Sequence, residues 1–101
     1  MTLHPPHLSN AQGALLGALI GDAAGATLEF LGRIPTPDDL DHALTLPGGG
    51  VLCVAPGQIT DDGELTLALA RALCDAQAYP AEQAARHYQR WISSSPFDVG
   101  N

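Results

Sequence analysis

Three features of the sequence predict an all-α chain. Hydrophobic residues make up 46% of it and aromatic residues only 5%. Ala, Leu and Gly predominate, which suits closely packed helices better than a β-sandwich rich in branched and aromatic side chains. Apolar residues recur at helical spacing in three stretches, the first two separated by a connection that holds four of the eight prolines. At 101 residues the chain suffices for one small domain burying about two-thirds of the surface its unfolded form exposes, and no second domain is expected.

Taken in order, residues 1–10 contain Pro5, Pro6, His4 and His7 and are read as a mobile leader ending at a cap formed by Ser9 or Asn10. The remainder, 11–101, is read as the helical domain. Its first helix is expected from Ala11 to about Leu31, with Leu15, Leu16, Leu19, Ile20 and Leu28 on its apolar faces, as the central buried helix. Gly13, Gly17, Gly21 and Gly25 form a stripe along which another backbone can approach. Each glycine costs up to about 1 kcal/mol against alanine. Tight helix packing and close approach of a ligand both account for the stripe.

Residues 32–58 hold Pro35, Pro37, Pro47, Pro56 and the run Gly48-Gly49-Gly50. They predict a long connection with at most a short helix near Pro37 to Leu46, and long connections in compact domains tend to be functional or disordered. Val51 to Ala55 could be extended but has no evident sheet partner. A second helix is expected from the Thr60-Asp61-Asp62 cluster to about Ala78, with Leu65, Leu69, Ala72, Leu73 and Ala76 facing inward. A third opens at Pro80, a residue suited to a first helical turn, and carries Ala84, Tyr88 and Trp91 before Ser93. Tyr88 and Trp91 are read as packing residues. His87 is read as a boundary histidine, since no second His or Cys accompanies it at ligand spacing.

The formal net charge is −7, from eleven acids against four arginines and no lysine. That balance argues against nucleic-acid binding through a basic surface. An anionic small molecule would instead be held by backbone N–H groups, helix N-termini or bound cations. Cys53 and Cys74 fit neither a disulfide scaffold nor a zinc knuckle and are read as free, mostly buried thiols in a reducing cytoplasm. The apolar stretch Gly13 to Gly21 has no Lys or Arg before it and ends at Asp22. It falls short of the roughly 20 residues a membrane span requires, so a soluble protein without a membrane partner is expected.

Thr60, Asp61 and Asp62 follow the turn Pro56-Gly57 and open a periodic helix. One reading is structural: Thr60 or Asp61 caps the helix, and Glu64, three residues after Asp61, completes a capping box. The other is chemical: three oxygen-bearing side chains on non-helical backbone can converge on Mg²⁺ or Mn²⁺. Two adjacent carboxylates could each serve one ion of a pair that activates water. Asp22 and Glu29 stand about 10 Å apart along a helix, too far to share one ion comfortably. Asp22, in an apolar stretch, is expected to pair with neighbouring loops. Glu29, near the helix end, is freer to reach a metal or substrate. Ser93 to Asn101 is a loop of turn formers that, by itself, reads as a C-terminal tail.

Gly17-Ala18-Leu19-Ile20-Gly21-Asp22-Ala23-Ala24-Gly25 with Glu29, then Pro56-Gly57-Gln58-Ile59-Thr60-Asp61-Asp62, then Ser95-Pro96-Phe97-Asp98-Val99-Gly100-Asn101, together resemble the ADP-ribosylglycohydrolase family in order and spacing. The resemblance implies the N-terminal portion of an orthogonal multi-helix bundle. It also implies two Mg²⁺ or Mn²⁺ ions and hydrolysis of the bond joining ADP-ribose to a protein side chain or small acceptor. Thr60, Asp61 and Asp62 match metal ligands, and Glu29 matches a glutamate of metal binding or catalysis. Asp98 matches a catalytic and substrate-binding position, and Gly100 and Asn101 match a loop on the ribose side. Thr27 stands where proline is common in the family. Family members are longer, and a later Asp-rich segment supplies further ligands. The resemblance therefore leads us to expect a partial domain with its C-terminal part missing, either a fragment, a truncated product or one half of a pair with a complementing chain. The alternative is a non-catalytic remnant, or a module that binds ADP-ribose or metal.

Overall fold

The computed structural model describes residues 5–76 and 81–100. Among them are four helices and no strand: α1 (Pro5–Ala26), α2 (Pro37–Ala43), α3 (Asp61–Asp75) and α4 (Ala81–Ser93). The expected all-α class holds. None of the described helices is long and apolar enough to cross a membrane. The chain divides into two compact units, Met1–Ile59 and Thr60–Asn101.

In the first unit α1 starts at Pro5, before the expected cap at Ser9 or Asn10, so the described part of the leader is helical. Prolines suit a first turn, whose N–H groups have no partner within the helix, and therefore do not block this start. The helix also stops at Ala26, short of Leu31. Thr27 donates its hydroxyl to the Ala24 carbonyl at 3.0 Å, and the chain turns through Phe30 and Gly32, both at positive φ. Nor is α1 the buried central helix its composition predicts. Ala23, Ala24 and Ala26 near its end are buried, while Leu16 and Ile20 are 57% and 48% exposed. A Cβ placed at Gly13, Gly17, Gly21 or Gly25 would meet nothing within 4 Å, so among the described residues no backbone packs against the glycine stripe. Helical period shows which face suits burial and not whether this stretch of chain supplies a cover.

The connection is ordered by local devices. Thr36 caps α2 in a capping box: its hydroxyl accepts the Asp39 N–H, and the Asp39 carboxylate accepts the Thr36 N–H at 2.8 Å. Arg33 grips the same carboxylate with both terminal nitrogens, at 2.6 and 3.0 Å. These charge-assisted bonds hold Asp39 well below the usual carboxylate range and raise Arg33. Beyond α2, Gly49 and Val54 pair in an isolated antiparallel bridge around a tight turn. A Cβ at Gly48 would fall 2.7 Å from the Pro56 nitrogen, and one at Gly50 would fall 2.9 Å from the Thr27 carbonyl oxygen. Only glycine allows the loop this close to its own return and to the end of α1. The Pro56-Gly57 turn is closed by the Gln58 N–H on the Ala55 carbonyl at 3.0 Å, with Gly57 at φ 71°.

In the second unit α3 and α4 pack against each other. Their register is antiparallel, because Trp91 reaches Glu64 at one end and His87 reaches Asp75 at the other, each pair 2.7 Å apart. The buried residues of α3 are Gly63, Ala68 and Ala72, whereas Leu69 and Leu73 are exposed. The expected inner face is thus right at Ala72 and displaced by one residue at Leu69 and Leu73. Small side chains occupy the seam because they allow the helix axes to approach. The helix ends at Asp75, three residues short of Ala78, and Ala76 is already extended. Pro80, expected to open the third helix, lies outside the described residues. Cys53 and Cys74 are free, as expected, but both are exposed rather than buried. Cys53 sits in a turn at φ 53° and Cys74 on the outer side of α3.

Candidate functional site

Thr60 is the N-cap of α3, with extended backbone, and its carbonyl accepts the Glu64 N–H at 2.9 Å. The residue is buried, yet its hydroxyl makes no side-chain cap hydrogen bond. The capping box expected of Asp61 and Glu64 is absent for a geometric reason. With Thr60 as cap, the third helical position is Gly63, and Glu64 lies one residue too far along. Its carboxylate instead accepts the Trp91 indole N–H at 2.7 Å. Asp61 is half-buried and Asp62 exposed, both in the first helical turn. There they face the partial positive charge of the helix end.

The segment after α4 comes back to this helix start. Ser94 donates its hydroxyl to the Trp91 carbonyl at 2.6 Å, and Ser95 takes positive φ. Farther on, the Gly100 N–H donates to Asp98 Oδ1 at 3.0 Å. Gly100 has φ 71°, and a Cβ there would stand 2.7 Å from Asp61 Oδ2. The structure therefore joins two of the motifs singled out from the sequence: Asp61 lies against the Asp98 to Gly100 turn. Asn101 is outside the described residues. Glu29 belongs to the first unit, in the turn that follows α1 rather than in the helix, and is exposed. Asp22, also in the first unit, is half-buried.

Hard oxygen donors of the kind Mg²⁺ and Mn²⁺ prefer are what the start of α3 offers: the Thr60 hydroxyl and the Asp61 and Asp62 carboxylates. Among the described residues no three His, Cys, Asp or Glu side chains are grouped to hold a metal ion. The donor chemistry fits such an ion, while the donor number falls short of its roughly octahedral demand. Glu64 is the residue whose importance sequence reasoning misplaced. Its bond to Trp91 spans 27 positions, and nothing local in the sequence signals it.

Comparison with known proteins identifies relatives by sequence. A sequence model described as ADP-ribosylglycohydrolase matches residues 3–101. An ADP-ribosyl-dinitrogen reductase glycohydrolase of Rhodospirillum rubrum is 43% identical over 90% of this chain and 31% of its own length. ADP-ribosylarginine hydrolases of Pseudomonas putida and Serratia proteamaculans are 38% and 40% identical, over 99% and 93% of this chain. The chain spans 28% and 26% of those two relatives. No solved structure matches it significantly.

Proposed function

Because the chain belongs to the ADP-ribosylglycohydrolase family, we propose that it serves in metal-dependent hydrolysis of the glycosidic bond between ADP-ribose and a modified protein side chain or small acceptor. The observation that carries this reading is the apposition of Asp61 and Gly100. It gathers a carboxylate-bearing helix start and a polar turn into one place. Thr60, Asp61 and Asp62 would hold the two Mg²⁺ or Mn²⁺ ions, with further ligands supplied by water or by polypeptide beyond these residues, such as a complementing C-terminal chain. When bound, the ions would lower the pKa of water and stabilise developing negative charge.

The residues of this chain have distinct tasks in that reading. Glu29 would accept a proton from the attacking water. Asp98, one oxygen of which already takes the Gly100 N–H, would accept a ribose hydroxyl with the other. Gly100, lacking a Cβ, lets backbone lie against the Asp61 carboxylate, and Asn101 would extend the same polar edge. Free cysteines suit the reducing cytoplasm. A second reading, a non-catalytic module that binds metal or ADP-ribose, draws on the start of α3, where one of the three first-turn carboxylates, Glu64, is engaged by Trp91.

Calorimetric titration of the full chain with Mn²⁺, beside the Asp61→Ala, Asp62→Ala double variant, tests the proposal. Saturable binding lost in the variant supports the metal assignment. Hydrolysis of an ADP-ribosylated peptide then separates the enzyme from the module. A folded chain that binds no Mn²⁺ leaves Thr60-Asp61-Asp62 as a helix start only.

A further inference from the structure

We propose that the groove between α3 and α4 is a binding site for a phosphorylated sugar, separate from the acidic start of α3. It holds a cavity of about 460 Å³ lined wholly by the second unit. That volume is within the range of small-molecule sites. Two of the chain's four arginines, Arg71 and Arg90, line it together with His87, Trp91, Glu64 and Ser94. Arg33 and Arg86 are engaged with Asp39 and Glu82. The side chains of Arg71 and Arg90 have no hydrogen bond or ion pair with any described residue. In a chain of net charge −7, two guanidinium groups left unpaired in one cavity favour an anion there.

The antiparallel register gives the cavity two chemically different ends. Arg71, His87 and Arg90 lie toward the end where His87 bonds Asp75, and the groove continues there past Arg86 and Gln83. Glu64, Trp91 and Ser94 lie toward the other. A phosphate suits the first end, where bidentate guanidinium contacts are possible and the arginines outnumber the Asp75 carboxylate that His87 engages; at the second, no guanidinium offsets Glu64. At the second, the Glu64 carboxylate can accept sugar hydroxyls. The indole, fixed by its N–H bond to Glu64, offers an apolar face to a sugar ring. The ligand class that satisfies both ends is a phosphate ester on a hydroxyl-bearing ring.

The test is titration of the full chain, in chelator to remove divalent cations, with ribose 5-phosphate, ribose and inorganic phosphate. Trp91, the sole tryptophan, reports binding by fluorescence. Ribose 5-phosphate should bind saturably, inorganic phosphate about tenfold more weakly, and ribose without detectable change at about 10 mM. Arg71→Gln, Arg90→Gln, with helix content verified by circular dichroism, should weaken ribose 5-phosphate at least about tenfold. Should that variant fail to fold, Arg71→Lys, which keeps the charge and loses the planar fork, should still weaken binding measurably. The Asp61→Ala, Asp62→Ala variant should bind as the parent does, which separates this site from the proposed hydrolase centre. No saturable response of the folded chain, equal affinity for ribose or for inorganic phosphate, or unchanged affinity in the folded arginine variants would overturn the proposal.

Discussion

Replacing Glu64 by alanine should loosen the α3–α4 pair. The buried residues of α3 are all small, Gly63, Ala68 and Ala72, and no large side chain among the described residues is fully buried. The Trp91 to Glu64 bond is accordingly a major specific contact. It is short, charge-assisted and half-buried, which puts its net contribution near the low end of the range for such bonds, at about 1.5 kcal/mol. Glu64 also supplies negative charge near the helix start, worth roughly 0.3–1 kcal/mol. Glu64→Ala should therefore cost about 2 kcal/mol. Glu64→Gln keeps an acceptor for the indole and should cost about 0.5–1 kcal/mol. With a urea slope of about 1 kcal/mol per molar, the midpoints should fall by about 2 M and 0.5–1 M. Urea unfolding followed by Trp91 emission reads both, and the free indole should be more solvent-exposed in the native alanine variant. An unchanged midpoint together with unchanged emission in Glu64→Ala would refute the argument that this bond sets the register.

Gly48→Ala combines positive φ with a backbone clash at 2.7 Å, and thermal melts should show it destabilised by at least about 2 kcal/mol. Gly57→Ala, at φ 71° with nothing within 4 Å, should cost only about 1–2 kcal/mol in the same melts. Gly100→Ala forces its Cβ toward Asp61 Oδ2. That carboxylate can rotate, so stability should fall by only about 1–2 kcal/mol, while calorimetry should show Mn²⁺ binding weakened. Asp39 titrates lower folded than unfolded, because Arg33 and Thr36 stabilise its charged form. Its contribution should be fully present above the unfolded carboxylate value of about 4 and be lost as pH falls through the lower folded value. Arg33→Ala should move the titration upward, as followed by NMR of the Asp39 side chain.

The acidic helix start shows how far sequence carries a site. Thr60-Asp61-Asp62 reads as a helix N-terminus because a Pro-Gly turn precedes it and apolar residues of helical period follow. Which residue caps, however, depends on where the first turn begins. The structure chooses Thr60 and so frees Glu64 for Trp91. The Thr36–Asp39 capping box, which the sequence reading did not single out, joins residues three apart and depends on no long-range contact. The apposition of Asp61 with the Asp98 to Gly100 turn was not visible in spacing, because it requires α4 to fold back along α3.

By itself the sequence determined the helical class, three of the four helix positions to within a few residues, and the family, since period, proline placement and local motifs are properties of neighbouring residues. Only the tertiary structure decided that Ala68 and Ala72 are buried while Leu69 and Leu73 are exposed. It alone showed that the glycine stripe of α1 stands open, that both cysteines are exposed, and that Arg71 and Arg90 share a cavity with Trp91. Each of these depends on which surfaces meet, and pairing between residues far apart in the chain leaves no periodic trace in the sequence.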